Sequence, residues 1–91
     1  MPNLSELTAI PNKRVRVLLL SLSETQTQYG ARILVKVNAL GQEYDWLLAP
    51  ETAKRILHAA GIGVGDCADV WIEVQGAKKF YHTEKITTPF D

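Results

Sequence analysis

The stretch from Gln42 to Gly65, QEYDWLLAPETAKRILHAAGIGVG, contains the one amphipathic helix that this sequence can form. A helix of about ten residues cannot bury itself, so it has to plug a sheet supplied by the chain on both sides. Pro50 suits a first helical position, where its missing N–H is not needed and its fixed φ is already helical. Ala53, Ile56, Leu57 and Ala60 then follow the i, i+3, i+4, i+7 spacing of one buried stripe, with Glu51, Lys54, Arg55 and His58 on the other faces. Gly61 ends the helix, because glycine tolerates the left-handed conformation that follows a last turn.

The flanking sequence supplies the strands. Residues 1–12, with two prolines and weak periodicity, read as an arm whose Leu4, Leu7 and Ile10 tuck against one end of the fold. From Lys13 to Leu22 the chain alternates and then turns continuously apolar, the pattern of a long strand that passes through a bulge into a corner. Ser23 to Gly30 is polar and reads as a loop. Ala31 to Ala39 alternates cleanly, with Ala31, Ile33, Val35 and Val37 inward and Arg32, Leu34, Lys36 and Asn38 outward. Leu40 to Gln42 is a tight turn into a third strand, Glu43 to Leu48, on which Tyr44, Trp46 and Leu48 share a face. Beyond the helix, Ala68 to Gln75 places Val70, Ile72 and Val74 inward and Trp71 outward. A turn at 76–79 leads to a last strand, Phe80 to Thr88, which Pro89 ends. The expected class is mostly β with one helix, in the order β-β-β-α-β-β, as one domain over residues 1–91.

Composition agrees. With 46% apolar and 22% charged residues this is an ordinary globule. One cysteine, Cys67, excludes an internal disulfide, and two histidines, His58 and His82, give no zinc-like spacing, so neither a metal nor a cofactor is expected. The N-terminus lacks an apolar leader core and no apolar run reaches membrane length, so a cytoplasmic protein without membrane contact is expected. Net charge is zero but unevenly spread. Residues 13–36 hold five cations against the single carboxylate Glu24, whereas residues 42–69 hold Lys54 and Arg55 against five carboxylates. That layout serves either a basic groove or charge pairs between neighbouring strands.

Three strands, a helix and a closing hairpin form the order of the OB-fold, a five-stranded Greek-key barrel. The run from Lys13 to Pro89 resembles the small stand-alone OB-like domains of prokaryotic and viral genomes. The residues that carry the resemblance are Val15 and Val17, Gly30, Gly41, Trp46 with Leu48, the run from Thr52 to Ile56, Gly61, Asp66, Val70 with Ile72, and Ile86 with Pro89. The chain departs from the pattern at Ala49 and Pro50, where such domains often carry asparagine, and at Cys67 to Val70, which replaces a Trp-Val-Gly-Lys entry to the fourth strand. The resemblance implies an OB-like barrel that binds single-stranded DNA or RNA with little sequence specificity, in a phage or prokaryotic accessory protein.

In such barrels the strand runs over the outer face of strands two and three, flanked by two loops, with bases stacked on aromatics and cations along the phosphates. On this chain that surface comprises Tyr29, Arg32, Lys36 and Asn38, with Leu34 between them, and the basic-aromatic run Lys78, Lys79, Phe80 and Tyr81. The run reads equally as a hairpin tip with solvated lysines and two aromatics closing the barrel mouth. Trp46 is either a stacking platform or core packing. Trp71 is either a ligand contact or covered by the arm through Leu4, Leu7 and Ile10. If Trp46 is inside, Glu43 and Asp45 lie outside beside Arg32 and Lys36 and blunt the positive face. No nucleophile with an orienting partner appears, so no enzyme is expected, and Gly61, Gly63 and Gly65 follow a helix where a phosphate loop precedes one. The other expectation is an adaptor barrel that docks a protein partner or itself. One continuous groove of cations favours nucleic acid, and a patchwork of neutral pairs favours the adaptor.

Overall fold

The computed structural model describes residues 2–86. Five antiparallel strands form one sheet: β1 (Val15–Thr27), β2 (Gly30–Ala39), β3 (Gln42–Leu48), β4 (Cys67–Gln75) and β5 (Lys78–Ile86), in the spatial order β3-β2-β1-β4-β5. The predicted class and element order hold. β1 is the shared strand: Leu18 to Thr27 pair with β2, and Val15 to Leu18 pair with β4. The expected bulge lies between Leu19 and Ser21, where the register with β2 slips by one residue. No backbone pairing joins β3 to β5 among the described residues, so the sheet is open along that side. Rings meet there instead, Tyr81 lying edge-on to Trp46 with centroids 5.4 Å apart.

Several boundaries differ from the sequence reading. β1 continues through Ser23 to Thr27, because Thr25 and Thr27 are β-branched and the hairpin needs only Gln28 and Tyr29 to turn. β5 starts at Lys78, two residues early. Its expected end at Thr88 and Pro89 lies outside the described residues.

The helical segment spans α1 (Pro50–Ala53) and a wider turn over Lys54–His58, in which the Ala59 N–H bonds to the Lys54 carbonyl five residues back. The wider turn shifts the buried stripe. Ala53, Ile56 and Leu57 are buried as expected, but Ala60 is exposed and Ile62 takes the inner place. Two bonds tie this segment to β5: Arg55 donates to the Tyr81 carbonyl at 3.3 Å, and the Thr83 hydroxyl donates to the Ile56 carbonyl.

The core gathers Val15, Val17 and Leu19 of β1, Val35 and Val37 of β2, Tyr44, Trp46 and Leu48 of β3, and Ala68 and Val70 of β4 around the helix. Val74, expected inward, is exposed because β4 there runs beyond the start of β1 and has only β5 beside it. The arm is more deeply built in than expected. Leu4 is fully buried and Leu7 half-buried, while Ile10 is exposed. Asn3 caps a tight turn at Leu4–Glu6: its Oδ1 accepts from the Ser5 N–H at 2.9 Å, and the Glu6 carboxylate accepts from the Asn3 N–H at 3.0 Å.

The β2–β3 turn is strained at one position. Leu40 sits at φ 54° and Gly41 at φ 78°, the pair of positive φ values of the tight primed hairpin turn. Leu40 is 83% exposed and its side chain compensates nothing. Leu40→Asn is therefore expected to stabilise the fold by about 1 kcal/mol, read from the midpoint of urea unfolding.

Candidate nucleic-acid interface

Strict alternation on β2 and β3 places the candidate residues. Val35 and Val37 point inward, so Arg32, Leu34, Lys36 and Asn38 form a row on the outer face. Opposite them on β3 lie Leu47 facing Leu34, Asp45 facing Lys36 and Glu43 facing Asn38. Tyr29, 76% exposed at the β1–β2 turn, stands at the end of this row. Arg32 folds back to the turn, its Nη1 donating to the Ala31 carbonyl at 2.9 Å. The expected nearness of Lys36 and Asp45 is present in the register, but the two do not reach ion-pair distance. The Asp45 Oδ1 is buried and without a hydrogen-bond partner among the described residues. On its far side the Asp45 N–H donates to the Pro2 carbonyl, so the arm borders this carboxylate.

The second group lies elsewhere. Val15 pairs with Val70 and Leu18 with Cys67, so β4 and β5 slide past the start of β1, whereas the turn carrying Tyr29 lies beyond its end. Lys78, Lys79 and Phe80 thus lie past the start of β1, the opposite end of that strand from Tyr29. Tyr81 is not available as a base contact. It pairs with Ile72, faces inward and packs on Trp46.

Trp46 is closed to solvent and Trp71 is half-buried. Trp46 is 1% exposed, because its parity with Tyr44 and Leu48 turns it into the core against Tyr81, so the stacking role is withdrawn for it. Trp71 is on the outer face as expected, but the arm leucines do not cover it. The Arg14 guanidinium lies 4.0 Å from its ring centroid on one side, and His82 stacks with it at 5.7 Å and 25° between planes.

Around Trp71 the charges neutralise one another. Arg14 Nη1 reaches Glu84 Oε1 at 2.7 Å and Asp69 Oδ2 at 3.7 Å, Arg16 Nε donates to Asp69 Oδ1 at 3.2 Å, and His82 lies 3.5 Å from Glu73. Lys85 is 3.8 Å from Asp66. Asp69 is buried, and the two guanidiniums supply the partners that a buried carboxylate requires. Arg14, Arg16 and Lys85 are thus occupied by carboxylates. Arg32, Lys36, Lys78 and Lys79 have no carboxylate at ion-pair distance among the described residues.

Leu47 is exposed on this face beside the half-buried Leu34, both where strand parity places them, but Leu18, exposed on the same face, and Leu20, exposed at the bulge, escaped sequence reading. The run of leucines from 18 to 20 reads as core, and only the phase change at the bulge separates inward Leu19 from its neighbours. Compared with protein-family models, curated proteins and solved structures, the chain matches none. No helix among the described residues is long and apolar enough to cross a membrane.

Proposed function

We propose that the chain is a small OB-type module that binds a single nucleic-acid strand, without reading its sequence, along the outer row of β2. The observation that carries this reading is the division of charge. Ion pairs occupy the cations around Trp71, and Arg32 and Lys36 stay free on the row that begins at exposed Tyr29 and ends at Asn38. Two cations, an amide and an aromatic ring are the groups that contact phosphates and stack on a base. The strand order supports the same reading: β1 pairs with both β2 and β4 and the helix lies between β3 and β4, as in a five-stranded barrel with one seam unzipped. Lys78, Lys79 and Phe80, at the other end, add contacts only to a strand long enough to reach both hairpins.

The test is anisotropy of a labelled mixed-sequence single strand, titrated at two salt concentrations with duplex as control. Tryptophan fluorescence is a poor reporter, since Trp46 is buried and Trp71, on β4, is half-buried against Arg14 and not on the β2 row. Binding is expected to prefer the single strand and weaken with salt by about 0.7 log unit per phosphate contact for each log unit of salt. Arg32→Gln with Lys36→Gln should flatten that slope by about two contacts. A flat titration at low salt would overturn the reading. It would favour the second one, suggested by Leu18, Leu34 and Leu47: a protein partner docked on the same face.

A further inference from the structure

Among the described residues, four stretches of strand longer than three residues have a neighbour strand on one side only, and three of them are bordered by other parts of the chain. Beside β4 from Trp71 to Gln75 runs the end of the arm, whose Asn12 N–H donates to the Ile72 carbonyl and whose Arg14 lies over Trp71. The outer side of β3 is bordered by the arm through the Asp45 to Pro2 bond. The outer side of β5 is tied to the helical segment through Tyr81 and Thr83 and carries Lys78, Lys79 and Lys85, charges that discourage added strands. The fourth is β1 from Ser21 to Thr27. It pairs with β2 alone, because the chain on its other side stops at the bonds between Leu19 and residues Gly65 and Asp66. This stretch, SLSETQT, has no proline and no lysine, and Glu24 is its single charge. Alternation from the closing Thr27–Gly30 pair turns the N–H and C=O groups of Leu22, Glu24 and Gln26 outward.

Beside this edge lies an open apolar groove of about 490 Å³ between the inner face of the hairpin and the helical segment. Leu22, Ile33, Pro50, Leu57 and Ile62 line it, and Glu24, Lys54 and His58 rim it. Leu22 is 41% exposed there.

We propose that a second copy of this chain adds its own Ser21–Thr27 edge antiparallel to this one, forming a two-fold dimer with a continuous sheet. The charges exclude one register, and the groove selects among the rest. Pairing centred on Glu24 would oppose two carboxylates, which is destabilising, whereas pairing centred on Ser23 sets Leu22 opposite the partner's Glu24. In that register the partner's Leu22 enters the groove, and the partner's Glu24 lies on the same inner face as the rim cation Lys54. The edge and the groove are thus complementary to themselves, as a two-fold contact requires.

Sedimentation equilibrium of the full chain, with circular dichroism as the folding check, tests this. The unaltered chain is expected to be a dimer. Leu22→Lys places a charge in the groove, and Glu24→Pro removes one outward N–H while sparing the β2 ladder. Each is expected to raise the dimer dissociation constant by about tenfold or more with the β spectrum kept. As a separate readout, Ser23→Cys in a Cys67→Ser background should form an interchain disulfide on mild oxidation, since directly opposed residues lie about 4.5 Å apart between Cα atoms in such a pair. Gln28→Cys, at the turn, should not. A monomer at millimolar concentration, a dimer that both variants leave intact, or no Ser23→Cys cross-link would overturn the proposal. If both variants unfold, the cross-link alone decides.

Discussion

Replacing Trp46 by alanine is expected to lower the unfolding free energy by about 3–5 kcal/mol, the range for removing a large buried aromatic. Trp46 is 1% exposed, is the largest of the fully buried side chains, and joins the sheet to the region where β3 and β5 lack a shared ladder. A domain of this size holds about 5–15 kcal/mol in total, so the variant should sit close to unfolding at room temperature. Trp46→Phe gives the informative contrast. The indole Nε1 is buried without a hydrogen-bond partner among the described residues, and phenylalanine removes that donor while keeping a ring against Tyr81. Its cost in urea unfolding should therefore fall well below that of the alanine variant. Equal costs would show that the indole N–H is not a liability.

The second large effect concerns the arm. Leu4→Ala is expected to cost about 2–5 kcal/mol, as much as a truncation in the middle of a core strand. Leu4 has no exposed surface, and the Asn3 and Glu6 cap fixes the turn that aims it. Ile10→Ala, at a side chain 59% exposed on the same arm, should change stability by less than about 0.5 kcal/mol. Thermal or urea unfolding of the two variants separates an integral plug from a loosely attached tail. Similar midpoints would place Leu4 outside the cooperative unit.

The strands were readable wherever one face is dry. Period two on β2 assigned Val35 and Val37 to the core and Arg32, Lys36 and Asn38 to the outer row, and the parity of Tyr44, Trp46 and Leu48 held across β3. The polar extension of β1 was missed because both faces of a projecting hairpin are wet, so no alternation marks it. Ala60 was misplaced because the stripe assumed a uniform 3.6-residue turn, and the widening at Lys54–His58 rotates the later residues. For the candidate site, residue identities were legible and their grouping was not. Whether Lys78 and Lys79 stand beside Tyr29 or far from it depends on the offset between β1 and β4, which no local pattern encodes. Strand parity placed Leu34 and Leu47 on the outer face, and only Leu18 was hidden, because in a continuous apolar run an outward residue has the same letter as one in the core.

The four-residue overlap between β1 and β4 joins the two parts of the sheet. Val15 to Leu18 provide the strand ladder between the β1–β2–β3 layer and the β4–β5 ribbon, with backbone bonds from Asn12 to Ile72 and between Leu19 and residues Gly65 and Asp66 at its two ends. Ala68 and Val70 of the ribbon sit in the same buried core as Val17 and Val35 of the layer, so parting the two would open that core, and the two halves are expected to unfold as one cooperative unit.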